Sequence, residues 1–268
     1  MNIAIVGCGY WGPNLARVFS QTEEARLHTC CDLDDKKTKR MKAIYPYINI
    51  TNNFQDIINN KEIDAIAIAV PVALHYKLSK QALLKNKHVL IEKPMTETLE
   101  EAEELKRLAD ERGLTLQVDH TFLYAPAIKK IKEIIKSGEL GDIYYIRASW
   151  LNLGLLQPDV NVVWDLATHI FAILNYILES EPITISANGI GYIRKDIEEV
   201  AEINLKYKNN LHVNLSVSWL EPNKVRKIVI VGSKKMLVFD LLNEQEQIKE
   251  NDKGVDMIND SEKNNQMR

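Results

Sequence analysis

Cysteine is scarce in this 268-residue chain, which has only Cys8, Cys30 and Cys31. An odd count with two neighbours in sequence offers no disulfide framework and points to a reducing compartment. No cysteine–histidine spacing suits a structural zinc site, and no metal is expected. Long hydrophobic runs are also missing. The most apolar stretch, residues 63–74, contains Asp64 and Pro71 and is too short to span a bilayer. Met1-Asn2 leads straight into a strand pattern, so no signal peptide is expected and the location should be cytoplasmic. An excess of one charge is lacking too. The formal net charge is -3, with basic residues spread along helices, which excludes the footprint of a nucleic-acid or membrane partner. What remains is 46% apolar and 26% charged, a globular profile with enough length for two domains.

Residues 3–120 alternate short apolar runs with amphipathic stretches. Strands are expected near 3–6, 25–31, 65–70, 88–91 and 114–118, and helices near 12–20, 35–44 and 73–85. A further helix is bracketed by Thr98 and Glu101, spaced as a capping box, and by Gly113 as C-cap. Such alternation implies an α/β domain over 1–121 with a doubly wound parallel sheet. Beyond His120 a linking helix (126–136) precedes long strand-like runs near 142–150, 183–193, 200–207, 211–220 and 225–231. Asn209-Asn210 and Pro222-Asn223 suit antiparallel hairpin connections, and one helix (164–178) interrupts the strands. An α+β domain with a largely antiparallel sheet and a helix on one face is expected over 122–268. Residues 249–268, polar and poor in aromatics, read as a loose tail.

Gly7-Cys8-Gly9-Tyr10-Trp11-Gly12 has the G-x-G-x-x-G spacing, follows the first strand and opens a helix. Glycines there permit a tight turn and bring backbone N–H groups to a pyrophosphate at the helix N-terminus. Gly7, Gly9, Tyr10, Trp11 and Gly12 are therefore candidate cofactor contacts, with Cys8 as a small filler. Asp32 closes the second strand, where an acid bonds the adenosine ribose hydroxyls and repels a 2′-phosphate. Asp34 and Asp35 strengthen that repulsion, while Lys36 and Lys37 could serve a phosphate, so NAD is favoured over NADP. Pro71 ends the third long strand, with His75 one turn on, either as a helix-surface histidine or as a cofactor contact.

Glu92-Lys93-Pro94 stands where the next strand ends, in the crevice where open α/β sheets bind ligands. Alone, the tripeptide suits a surface turn equally well. Asp165 and His169 are four apart near the start of the lone second-domain helix, hence on one face and within mutual reach. A histidine carries protons near neutral pH, and a nearby carboxylate would raise its pKa and orient it. The same pair also suits an N-terminal acid beside a satisfied histidine.

With these residues in view, nearly the whole chain resembles the oxidoreductases named after glucose–fructose oxidoreductase, inositol dehydrogenase and the rhizopine catabolism protein (Gfo/Idh/MocA). The marks are Gly7–Gly12, Asp32, Pro71 with His75, Glu92-Lys93-Pro94 and Asp165-x-x-x-His169. Residues 150–154 and 157–165 are most similar to a branch with dehydrogenases of nucleotide-linked amino sugars, such as UDP-N-acetylglucosamine 3-dehydrogenases. The resemblance implies NAD(P)-dependent hydride transfer at a hydroxyl-bearing ring carbon. By the same resemblance Lys93 bridges the nicotinamide ribose and the substrate hydroxyl, Asp165 holds the sugar, and His169 carries the hydroxyl proton. Pro71, His75, Glu92 and Pro94 would line the cofactor, Lys93-Pro94 would be cis, and the protein would be a homo-oligomer (dimer or tetramer). An NADPH-dependent ketosugar reductase, an inositol-type dehydrogenase and a non-catalytic dinucleotide sensor are the alternatives. Two departures stand out. Arg268 comes before the further sheet and helix usual in the family, implying a shortened second domain. Ala167-Thr168 replaces a common Ala-Pro, a change expected to be minor.

Overall fold

The apolar runs near the N-terminus are strands whose alternate residues feed two different cores. A computed structural model describes residues 1–154, 156–157 and 160–253. β1 (Asn2–Val6) sends Ile5 to one side and Ala4 and Val6 to the other, and β4 (Ala65–Ile68) divides Ala67 from Ile66 and Ile68 likewise. A strand buried on both faces needs no polar alternation, which is why these segments read as unbroken apolar runs.

The chain forms two compact units, Met1–Asp119 and His120–Arg268. In the first unit β2 (Arg26–Cys31), β3 (Asn49–Thr51), β5 (His88–Ile91) and β6 (Leu116–Val118) join β1 and β4 in a parallel sheet ordered β3-β2-β1-β4-β5-β6. Strand order reverses between β1 and β4, the switch point at which doubly wound sheets bind ligands. The helices are α1 (Gly12–Gln21), α2 (Asp35–Ile44), α3 (Phe54–Asn59), α4 (His75–Leu84) and α5 (Leu99–Arg112). Asp34 caps α2 by accepting the Lys36 N–H at 2.8 Å. Thr98 caps α5 by accepting the Glu101 N–H at 3.3 Å, and Gly113 ends it at φ 62°. β3 and α3 were not anticipated, being too short for a periodic signal.

The second unit has α6 (Pro126–Ser137), α7 (Thr168–Leu178) and strands β7 (Ile143–Leu153), β8 (Thr184–Ile190), β9 (Val200–Lys206), β10 (His212–Ser218), β11 (Leu220–Gly232), β12 (Met236–Asp240) and β13 (Ile248–Asn251). Sheet order is β13-β12-β11-β7-β10-β9-β8, antiparallel except for the parallel β7–β10 pair. Alternate residues such as Ile146, Ala148 and Trp150 of β7 pack with Ile131 of α6 and Ile173 of α7. β8 is exposed along its length.

Two expectations fail here. Pro222-Asn223 is not a hairpin turn, because β7 lies between β10 and β11. The pair falls in an irregular stretch of β11, whose register with β7 breaks between Leu220 and Val225. A proline that cannot donate to the ladder suits such a break. The tail was expected to be loose from residue 249, yet Ile248–Asn251 pairs antiparallel with β12. Residues 254–268 lie outside the described residues. Among the described residues no helix is long and apolar enough to cross a membrane.

Candidate functional site

The loop from β1 to α1 separates what the fold demands of its glycines from what a ligand demands. Gly7 has φ 96°, and a Cβ there would lie 2.2 Å from the Ala69 carbonyl oxygen. A Cβ on Gly12 would lie 2.0 Å from the Gly7 carbonyl oxygen. Both positions must be glycine for the chain to pack. Around Gly9, by contrast, a Cβ would meet nothing within 4 Å. A pyrophosphate approaching the backbone would give a reason for glycine there. No side chain caps α1, so its N-terminal dipole faces the same space. Tyr10 and Trp11 project outward, their rings edge to face at 5.3 Å. These residues fit a dinucleotide.

Asp32 follows β2, where the sequence put it, but its oxygens also brace the protein. Oδ2 accepts the Cys8 N–H at 2.7 Å and Oδ1 the Asp34 N–H at 2.9 Å. Lys37 Nζ stands 3.7 Å from Oδ2. Cys8 is buried, as a filler would be.

At the ends of β4 and β5 the structure brings together Val70, Pro71, His75, Glu92, Lys93 and Pro94. The Lys93-Pro94 bond is cis. Pro71 is exposed and Lys93 half-buried. His75 is not the surface histidine that one expectation allowed. It is 1% exposed, with Nδ1 2.8 Å from the Pro94 carbonyl oxygen and Nε2 2.8 Å from that of Val70. Glu92 is buried and hydrogen-bonded to the carboxyl of Asp119. Burial, then the Asp119 charge, pushes Glu92 up to about 7 against the opposing pull of the Lys93 N–H and ammonium. Asp119 was not singled out from sequence, although the register β5–β6 places it directly after Val118, beside Glu92. The same reasoning that selected Glu92 as a strand-end residue would have found it.

In the second unit Asn161 accepts the Trp164 N–H at 3.1 Å and starts a π turn, Val163–Ala167, that runs into α7. The expected helix over 164–178 therefore opens with a π turn, and Asp165 lies in it while His169 lies in α7. Asp165 Oδ2 accepts the indole N–H of Trp219 at 2.9 Å. The His169 ring meets Phe122 edge to face at 4.8 Å, and Phe122 meets Trp150 at 5.7 Å. Arg226 is buried and donates to the carbonyls of Leu151 and Val225, both at 2.8 Å, and to Asn152 Oδ1. Burial lowers its pKa to about 10, and the Asp165 charge opposes that shift. Trp219, Phe122 and Arg226 gave no local signal in the sequence. In the 157–165 motif, Pro158 and Asp159 lie outside the described residues.

Residues 1–120 match a family model described as an oxidoreductase family with an NAD-binding Rossmann fold. Residues 128–238 match the GFO/IDH/MocA C-terminal domain. The UDP-N-acetylglucosamine 3-dehydrogenase of Acidithiobacillus ferrooxidans is 28% identical over 256 residues, covering 91% of this chain and 75% of that protein. The scyllo-inositol 2-dehydrogenase (NADP(+)) IolW of Bacillus subtilis is 34% identical over 169 residues, covering 61% and 44% respectively. Among solved structures, the WlbA dehydrogenase of Bordetella pertussis, in complex with NADH and UDP-GlcNAcA, superposes with a TM-score of 0.83. It is 20% identical and covers 90% of this chain and 73% of that one, so the likeness is one of fold. The chain spans 60% or less of the length of several curated relatives, 60% of one and 44% of another.

Proposed function

The chain belongs to the Gfo/Idh/MocA oxidoreductase family, and on that premise we propose that it oxidises a ring hydroxyl of a sugar with NAD as hydride acceptor. The sugar proposed is a nucleotide-linked amino sugar, supported by the relative matched over 91% of the chain. The observation that carries the reading is the retention of Lys93 at a strand end of the dinucleotide-binding unit together with Asp165 and His169 at a helix start of the other. Bound at the glycine loop, the nicotinamide dinucleotide would supply the hydride acceptor.

A secondary alcohol gives up hydride only as its hydroxyl proton is removed, so a base must reach the oxygen. His169 is proposed as that base. Phe122 packs edge-on against its ring, restricting the ring's rotation. Asp165 would hold a sugar hydroxyl, its carboxylate oriented by the Trp219 N–H. Lys93 would stabilise the developing alkoxide with its ammonium. Asp32 would select NAD, while Lys37 beside it supports a second reading with NADP, as in the NADP-dependent scyllo-inositol relative.

Purified protein should reduce NAD in the presence of a UDP-N-acetylhexosamine, followed by absorbance. Lys93→Ala and His169→Ala should each lower kcat/KM by about 100-fold or more. Full activity in both variants would refute the assignment. Asp32→Ala should narrow the preference for NADH over NADPH in a binding titration. An unchanged ratio would remove Asp32 as the selector.

A further inference from the structure

His75 opens α4 in a place closed to water, and both its ring nitrogens stand at hydrogen-bond distance from main-chain carbonyl oxygens. A carbonyl oxygen only accepts, and a neutral imidazole carries a single N–H. With one proton, the bare nitrogen would hold its lone pair against that of a carbonyl at 2.8 Å. Turning the ring over would put carbon atoms at both contacts. Two such bonds require two N–H groups. Burial opposes the positive charge, but hydrogen bonds to the charged form favour it, and charge-assisted bonds are the stronger kind.

We infer that His75 is held as an imidazolium and acts as a positioning residue, tying the main chain after Lys93 to the end of β4. Its two acceptors, Val70 and Pro94, belong to the segments that follow β4 and β5, so one ring fixes both sides of the strand ends from which Lys93 projects. The proton on each nitrogen is committed to a carbonyl, so His75 does not exchange protons with a substrate. β4 and the 3-10 turn Val72–Leu74 bring no titratable side chain to α4. β5 leads into Glu92 and Lys93, and α5 brings Glu104, which is engaged by Lys80 at 2.7 Å and by Tyr76. The positioning role rests on the function proposed for Lys93, whereas the charge state does not.

Nitrogen-15 NMR of the full chain labelled at histidine tests the two parts separately. At about pH 8, well above the ordinary imidazole value near 6.5, freely titrating histidines carry one ring proton. One histidine should keep two, and its signals should disappear in His75→Asn. Absence of a doubly protonated ring in the wild type, or its survival in His75→Asn, overturns the charge assignment. If the variant does not fold, the wild-type spectrum of the doubly protonated ring, read through contacts to the Val70 and Pro94 segments, decides the matter.

For the positioning role, His75→Asn should lower kcat by about ten-fold or more while leaving the pH limb that belongs to His169 in place. Unchanged kcat, or loss of that limb, overturns the role. A wild type with no turnover on any sugar would refute the oxidoreductase reading and leave the NMR result standing.

Discussion

Replacing Glu92 with glutamine should make the protein more stable above neutral pH and leave it nearly unchanged in mild acid. Glu92 is buried against Asp119, and its pKa rises from an ordinary 4.5 to about 7. A carboxyl raised in the folded state contributes fully below its unfolded value, and that contribution is lost as pH climbs through the folded value. The wild type should therefore lose stability between about pH 4.5 and 7 and be flat above. The gap corresponds to about 3 kcal/mol at most. Glutamine keeps an N–H donor for the Asp119 carboxylate and has no proton to lose. Urea unfolding of both proteins at about pH 4, below the unfolded value, and at about pH 8.5 measures the difference. The variant should match the wild type at the lower pH and exceed it by about 2–3 kcal/mol at the higher. Parallel loss of stability in both proteins would refute the buried carboxyl pair as the source.

The glycine loop offers a paired test. Gly12→Ala places a methyl 2.0 Å from a carbonyl oxygen, so unfolding at a markedly lower temperature is expected, whereas Gly9→Ala meets open space and should melt like the wild type. Gly9→Ala should nonetheless weaken NADH binding by about ten-fold or more, measured by fluorescence titration. Trp219→Phe deletes the indole N–H bonded to Asp165 and should cost about 1–3 kcal/mol in chemical denaturation. Its kcat should fall as well, because the carboxylate loses its orientation. Unchanged stability and turnover would show that the bond is dispensable.

Features governed by neighbours in sequence were legible in advance. The glycine loop, the Thr98 cap, Gly113 and the parallel strands of the first unit other than β3 each announce themselves within a dozen residues. Features governed by distant pairing were not. Pro222-Asn223 has turn chemistry, but whether it closes a hairpin depends on β7, some seventy residues earlier, lying between β10 and β11. The strand Ile248–Asn251 is polar because it pairs at a sheet edge, and edge strands carry no apolar signature. Of the candidate residues, Lys93, Asp165 and His169 are marked by residue type and position, whereas Trp219 reaches Asp165 across 54 residues. Sequence leaves His75 between a helix-surface and a cofactor-facing position, because the short 3-10 turn before α4 sets its direction and hydrophobic periodicity does not register such a turn.

At Gly7 and Gly12 the dinucleotide loop lies with backbone against backbone, leaving it one way to pack. Fixing a residue's backbone removes about 1–2 kcal/mol of conformational freedom, and here that loss occurs when the first unit folds. A ligand arriving later meets a shape already made, so little of its binding free energy is diverted into ordering the loop. Under the proposed function, discrimination between dinucleotides would then fall to the polar groups beside the loop, Asp32 and Lys37, and not to any adjustment of the loop itself.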